Sequence, residues 1–361
     1  MAPRNFVIKV PASSANIGPG YDVLGVALAL YLELHVTVDP SLGSEPNSAP
    51  NTCRVSYSAD SEGAATVPLA SDANLITRTA LYVLRCSGVR TFPSGTTVHV
   101  VNPIPLGRGL GSSGAAVVAG VMLGNEIGQL GLSKQRMLDF CLMIERHPDN
   151  ITAAMMGSFC GSFLRDLTPQ EVERREIPLA EVLPEPSGGE DTGLVPPLPP
   201  TDIGRYVKYT WNPVIKCVAI IPEFELSTAD SRGVLPKAYT TQDLVFNLQR
   251  LAVLTAALTM DPPQAELIYP AMQDRVHQPY RKILVPRIAD VLQSVTPRTH
   301  AGLLGICLSG AGPTILALAT EHFEDIALEI INRFAKQGVQ CTWKLLDVAQ
   351  GGSIVETSVQ E

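Results

Sequence analysis

Apolar and polar residues alternate over residues 6–10 and again over 28–38, where Leu32, Leu34, Val36 and Val38 share one face. Both runs predict strands. Between them, residues 12–20 are so rich in small side chains that a loop is expected rather than a core element. Residues 97–101 predict another strand, which leads into a glycine-rich loop. From Ser112 to about Ile127 the chain is small and apolar, the pattern of a helix packed tightly on both sides. Ser133 is expected to cap a helix whose Met137, Leu138, Cys141, Leu142 and Ile144 keep helical spacing. Farther along, 214–221 and 306–309 predict strands, and 241–260 and 281–294 predict helices. Residues 321–337 form an amphipathic pattern with Phe323, Ile326, Ile330 and Phe334 on one face. Strands and helices mixed without a strict βαβ repeat favour an α+β architecture over a doubly wound sheet.

Two stretches interrupt this pattern. Residues 40–51 hold Pro40, Gly43, Pro46 and Pro50 and predict a turn-rich surface excursion. Residues 166–210 are rich in proline (among them Pro178, Pro184, Pro186, Pro196, Pro197, Pro199 and Pro200), so an insertion or mobile surface loop is expected there. A chain of 361 residues exceeds one small core. The organisation expected is an N-terminal domain over 1–165, the Pro-rich insertion over 166–210 and a C-terminal domain over 211–361.

Composition narrows the classes. A net charge of −8 argues against nucleic acid as a partner, which would need a basic face. It leaves a nucleotide open, because backbone dipoles and Mg²⁺ hold phosphates locally. The seven cysteines are scattered, odd in number and never spaced C-x-x-C, which suits free thiols in a reducing compartment. Residues 1–10 lack the apolar core of a signal peptide, and no apolar run approaches the roughly 20 residues of a membrane span. A soluble, cytoplasmic protein with no membrane partner is expected.

The strongest local signal runs from Pro105 to Ala116, with Gly107, Arg108, Gly109, Leu110, Gly111, Ser112, Ser113 and Gly114 between a strand and a small-residue helix. Glycines there permit close backbone approach to a ligand. The helix start offers free N–H groups and a positive dipole end to a phosphate, and the serines offer hydroxyls to phosphate or Mg²⁺. Taken alone, the cluster is equally a turn that lets strand and helix pack. No Gly-Lys-Ser/Thr closes it as in a Walker A loop, and it is longer than a Rossmann fingerprint.

This Pro-x-x-x-Gly-Leu-Gly-Ser-Ser-Gly run resembles the signature of the GHMP kinases, and further motifs follow in that family's order. Residues 11–22, with Asn16 and Asp22, look like the N-terminal motif of the family's homoserine-kinase branch. Residues 146–154, Arg-His-Pro-Asp-Asn-Ile-Thr-Ala-Ala, resemble the fungal form of that branch. Residues 226–236 resemble its Ser-Thr-x-x-x-Arg segment and 278–281 its Gln-Pro-Tyr-Arg segment. Residues 305–314 resemble the third GHMP motif, and Asn74-Leu75 the short segment that contacts adenine.

The resemblance implies an N-terminal domain of the ribosomal-protein-S5 type, a C-terminal ferredoxin-like domain, and a homodimer. It implies ATP and Mg²⁺, transfer of a phosphoryl group to the hydroxyl of L-homoserine, and a role in threonine biosynthesis. Asn150 stands where mevalonate kinase carries a catalytic aspartate. An amide cannot act as a base, so catalysis by positioning and charge stabilisation is implied. The residues around Gly107–Ser113 would then cradle the phosphates, with Ser113 and Glu145 on Mg²⁺. Asn16, Asp22 and His147 would hold the amino and hydroxyl ends, Arg232 and Arg281 the carboxylate, with Thr228 a further substrate contact and Asn150, Asp22 and Glu145 the catalytic set. Glu145 is otherwise an ordinary charge at a helix end, His147 a structural histidine, and Arg275 an alternative to Arg281. Two other functions stay open: a GHMP kinase for another alcohol such as mevalonate, and a non-catalytic ligand sensor.

Overall fold

The computed structural model describes residues 3–42, 53–172, 195–286 and 288–357. Most of the 40–51 excursion and of the proline-rich stretch therefore lies outside the described residues. In chain order the first half comprises β1 (Arg4–Ala15), β2 (Leu24–Val38), β3 (Arg54–Tyr57), α1 (Leu75–Cys86), β4 (Thr96–Val101) and α2 (Ser112–Gly128). It continues with α3 (Lys134–Ile144), α4 (Pro148–Met156), β5 (Phe159–Leu164), the single turn α5 (Pro169–Val172) and β6 (Gly204–Tyr209). The second half comprises β7 (Lys216–Pro222), α6 (Thr228–Gly233), α7 (Thr241–Ala257), α8 (Ala265–Ala271), α9 (Gln278–Arg281) and α10 (Ile288–Ser294). It ends with β8 (Leu303–Leu308), β9 (Ile315–Ala319), α11 (Phe323–Ala335), β10 (Cys341–Leu346) and β11 (Ile354–Thr357).

Two sheets organise these elements. The first runs β11-β1-β2-β4-β3, with β5 joined to the start of β2 and β6 joined to β5. The second runs β10-β7-β9-β8, all antiparallel. In its own numbering that is the order 4-1-3-2, the ferredoxin-like arrangement expected of the C-terminal half. Two strands from outside residues 1–165, β6 and β11, join the first sheet. Residues 204–209, inside the stretch expected as a loop, are thus a strand, because the prolines stop at Pro200 and leave every backbone N–H free to pair.

The strongest departure from expectation is at residues 12–15. They are not a loop: after a register shift between Pro11 and Ala12 they continue β1 opposite residues 25–28 of β2, and all four are buried. Small side chains serve close packing here. Ser13 N donates to Leu110 O (3.1 Å), and the hydroxyls of Ser14 and Ser309 meet at 2.7 Å. A second departure is the helix expected over 281–294, which is split into α9 and α10 around Pro286. Proline has no N–H to continue the helical ladder and disfavours helical geometry in the residue before it.

Caps and small residues set the helices. Ser133 accepts from Arg136 N and starts α3 as expected, and Pro148 occupies the first turn of α4, where no N–H is needed. Gly120 and Gly124 let α2 lie against α1; a Cβ at either would press on α1 residues 76–83. The far end of α4 is tied to the strap between β10 and β11. Lys134 Nζ donates to Met155 O and Gly351 O (both 3.3 Å), and Lys208 Nζ to Met156 O (3.1 Å) and Gln350 O (2.5 Å).

A buried ionic knot fastens the residues before β6. Asp139 on α3 accepts from Asp202 N (3.1 Å), Ile203 N (2.8 Å) and Arg136 Nη1 (2.9 Å), and Arg136 also holds the carbonyls of Pro199 and Pro200. Replacing Asp139 by Ala strands two backbone donors and a guanidinium. The expected loss is about 3 kcal/mol of unfolding free energy, read from urea titration. A loss below about 1 kcal/mol would show that the knot adds nothing.

Candidate active site

Three of the motif loops lock together backbone to backbone. Ser309 Oγ donates to Gly109 O (2.6 Å), Thr314 N to Arg108 O (3.2 Å), and Gly310 N to Ala15 O (3.0 Å). Leu226 N donates to Gly107 O (2.9 Å), which ties the segment before α6 to the same loop. Gly107, Gly109 and Gly111 all have positive φ, a region in which a side chain is strained. Gly111 is the N-cap of α2 and offers no side chain, so the first N–H groups of that helix carry no side-chain cap. They open on a cleft bordered by Gly109, Gly111, Ser112, Ser113, Asn16, Tyr21, Asp22, Glu145, His147, Asp149, Asn150, Arg232, Arg281 and Gly310.

Hydrogen bonds divide the cleft into two ends. At the α2 end, Ser113 Oγ donates to Glu145 Oε2 (3.3 Å), and Ser13 Oγ donates to Asn150 Oδ1 (2.9 Å) beside Gly111. Burial raises the Glu145 carboxyl above its ordinary value, against the Ser113 hydrogen bond and the charge of Arg232. At the other end, Arg232 donates to Asp22 Oδ1 (2.6 Å) and to the Tyr21 hydroxyl (2.7 Å). Both Arg232 and Arg281 place their guanidinium carbons over the Tyr21 ring, at 5.3 and 5.4 Å.

Arg281 is 2% exposed and tightly placed: its Nη1 lies 3.0 Å from His277 Nδ1 and 2.9 Å from Gly310 O. His277 in turn lies 2.7 Å from Gly18 O through Nε2, so the imidazole that serves both contacts is neutral, with its proton on Nε2. Burial lowers its pKa, consistent with that form. His147, at the N-cap of α4, is also lowered, first by burial and then by Arg232.

Asp149 is 2% exposed, and burial, followed by the charge of Asp22, raises its carboxyl to about 7.

Most of the expected residues converge here. Asn16 borders the cleft, and its side chain is spent on Gly310 O and Asp22 N, so it holds Asp22 in its left-handed backbone conformation. Thr228 begins α6, and its side chain lies outside the described residues. Asn74 does not border this cleft: fully buried, it caps α1 and holds Tyr57 Oη and Pro68 O, with Leu75 following it. Pro105 is buried at the entry to the loop, and Leu110 and Gly114 are buried behind it. Arg275, the alternative to Arg281, stacks on Phe246 at 4.0 Å and reaches Asp243, away from the cleft.

Asp149, Tyr21 and His277 were not singled out from the sequence. Asp149 and Tyr21 lie inside quoted motifs, so the signal for them was a polar residue flanking a motif position. His277 directly precedes the Gln-Pro-Tyr-Arg segment.

Comparison with known proteins agrees with this geometry. The description "GHMP kinases N terminal domain" matches residues 74–158, and "GHMP kinases C terminal" matches 257–337. The homoserine kinase of Saccharomyces cerevisiae is 80% identical over 353 residues, covering 98% of this chain and 99% of that one. The chain belongs to the homoserine kinases. The homoserine kinase of Candida albicans is 56% identical over 99% of both chains. A solved homoserine kinase of Cytophaga hutchinsonii shares the fold, with a TM-score of 0.73, 24% identity and 97% coverage of each chain. As a homoserine kinase the protein has the two-part GHMP fold implied by its motifs. Among the described residues no helix is long and apolar enough to cross a membrane.

Proposed function

We propose that this protein transfers the γ-phosphoryl group of ATP to the hydroxyl of L-homoserine, giving O-phospho-L-homoserine for threonine biosynthesis. The observation that carries the reading is one cleft joining an uncapped helix N-terminus to a paired-arginine and carboxylate cluster. The α2 amides and the glycine-rich backbone of Gly107–Ser113, held in place by the neighbouring loops, suit a triphosphate. Ser113 and Glu145 fit Mg²⁺, since a half-buried carboxylate beside a hydroxyl is a hard oxygen pair, with His147 Nδ1 4.0 Å from the carboxylate's other oxygen. Bound there, the ion would offset phosphate charge.

On this reading Arg232 and Arg281 grip the amino acid's carboxylate, Asp22 faces its ammonium, and Asn16 and His277 keep those groups in place. Asn150 lies next to the phosphate loop and orients the hydroxyl. Its amide takes no proton, so the hydroxyl proton passes to phosphate or solvent; a loose transition state with in-line geometry needs little basic help. Neutral His147 is a hydrogen-bonding contact rather than a charge. A homodimer in the cytoplasm completes the reading, the latter supported by seven cysteines of which none is disulfide-bonded.

A coupled ADP-release assay with Mg·ATP and homoserine, mevalonate, shikimate, galactose or no acceptor tests the function. Turnover is expected with homoserine alone; turnover on another acceptor would keep the kinase and discard the substrate. ATP binding without turnover on any acceptor would point to a ligand sensor. In the same assay Arg232→Ala is expected to raise the KM for homoserine roughly 10- to 50-fold and leave that for ATP within about twofold. Equal losses for both substrates would remove Arg232 from the amino-acid end.

A further inference from the structure

Arg281 ends a helix too short to hold itself. α9 is one turn of four residues, and a single turn fixes more backbone freedom than its own hydrogen bond returns. Its surroundings hold it instead. Asp274, whose side chain is fully buried, gathers the amides at its start. Oδ1 accepts from Val276 N (2.9 Å), and Oδ2 from His277 N (3.0 Å) and Gln278 N (2.7 Å). Asn247, buried on α7, donates to the same Oδ1 (2.7 Å) and to Pro19 O (3.3 Å), and accepts from Arg275 N (2.9 Å). One carboxylate thus fastens α9 to α7 and, through Asn247, to the turn that carries Asp22.

Asp274 also faces the ring between it and Arg281. His277 Nε2 lies 2.7 Å from Gly18 O and 3.5 Å from Asp274 Oδ2. Two acceptors at that nitrogen keep the ring proton there, which leaves the Nδ1 lone pair to Arg281 Nη1 at 3.0 Å. With a proton on Nδ1 the same contact would set donor against donor. Arg281 also spends Nε on Ser231 O (3.3 Å) and Nη1 on Gly310 O. Only Nη2 is then left without a hydrogen bond among the described residues, on a side chain that borders the cleft.

We propose that Asp274 is a positioning residue for phosphorylation of the amino acid: it orders α9 and selects the His277 tautomer that holds Arg281, with Nη2 kept for the substrate carboxylate. Asp274 itself touches no substrate. This rests on the reading that Arg281 grips that carboxylate, and the two fail separately.

The test is a double-mutant cycle on the KM for homoserine, with the KM for ATP and the melting temperature measured alongside. Asp274→Asn keeps the size but sets an amide group against backbone amides. It is expected to raise the homoserine KM about 20-fold and to leave kcat and the KM for ATP within about threefold. Arg281→Ala is expected to raise the homoserine KM about 50-fold, and adding Asp274→Asn to it should change that KM less than about twofold, because the group being positioned is gone. A merely structural role would multiply the two losses. Asp274→Ser, which still caps a turn, should behave like Asp274→Asn if the latter folds poorly. His277→Asn sets an amide oxygen near the place of Nδ1, whereas His277→Gln sets an amide nitrogen near that of Nε2. The first keeps the acceptor for Arg281, so its homoserine KM should be at least about fivefold lower than that of the second. An unchanged homoserine KM in both Asp274 variants, losses that multiply across the cycle, or His277→Gln matching His277→Asn would overturn the proposal. An unchanged homoserine KM in Arg281→Ala would overturn the reading beneath it, and the proposal with it.

Discussion

Gly109→Ala is expected to lower kcat at least about 100-fold, because the phosphate loop cannot keep its place with a methyl group there. Gly109 has φ +82°, a conformation that costs an L-residue roughly 1–2 kcal/mol by itself. The added Cβ would also press into the carbonyl oxygen of Ser309 and lie 3.0 Å from that of Gly312. Both are backbone atoms of the loop after β8, so no side chain can swing aside. The loop must withdraw, which breaks the Ser309 Oγ to Gly109 O hydrogen bond and displaces the start of α2. Single-turnover and steady-state rates, with the melting temperature as a control, check this. A variant with turnover within about fivefold of the parent would show that the three-loop interlock does not set catalytic geometry.

The second large effect is a gain in stability. Asp149 has a carboxyl raised to about 7 in the folded protein, against 3.8 as its ordinary value, through burial and the neighbouring Asp22 charge. A carboxyl raised on folding favours the folded state below its unfolded value, and that advantage is lost as pH rises through the folded one. Between about pH 4 and pH 7 the parent therefore loses on the order of 4 kcal/mol through this group. Asp149→Asn carries no such charge. It should melt roughly 5–10 °C above the parent at pH 8, and the two should converge near pH 4. A difference in melting temperature independent of pH would contradict this, whatever its size. Asp149→Asn is thus expected to be the sturdier protein above about pH 7 and no sturdier near pH 4.

What could be read from the chain divides along physical lines. The tight turn between β4 and α2 was legible because three glycines and two serines between a strand and a small-residue helix mark such a turn, although the composition alone left its use open. The start of α3 was legible because Ser133 and the spacing behind it are local. Residues 12–15 were misread because burial there comes from partners far along the chain, Leu110 and Ser309, which no window around Ser13 contains. Asn74 was expected at a ligand, yet its three hydrogen bonds to Tyr57, Pro68 and Ile76 consume it as a cap. Arg275 and Arg281 are indistinguishable in sequence; Phe246 and Asp243 hold the first outside the cleft, while His277 and Gly310 hold the second within it.

The strap between β10 and β11 bears on the order in which the protein is made. Helix α4 presents Asn150 and Asp149 at one end and is fastened at the other through Lys134, Lys208 and residues 350–351. Those last partners leave the ribosome long after the helix they secure, as does β11, which closes the edge of β1. The first sheet therefore emerges with the β1 edge open, and α4 with its far end held by Lys134 and Lys208 but not yet by the strap. A nascent chain halted before residue 350 would hold every residue of the cleft and still lack the strap bonds from Lys134 and Lys208 to residues 350–351, so the site's residues are all made before its fastening is complete.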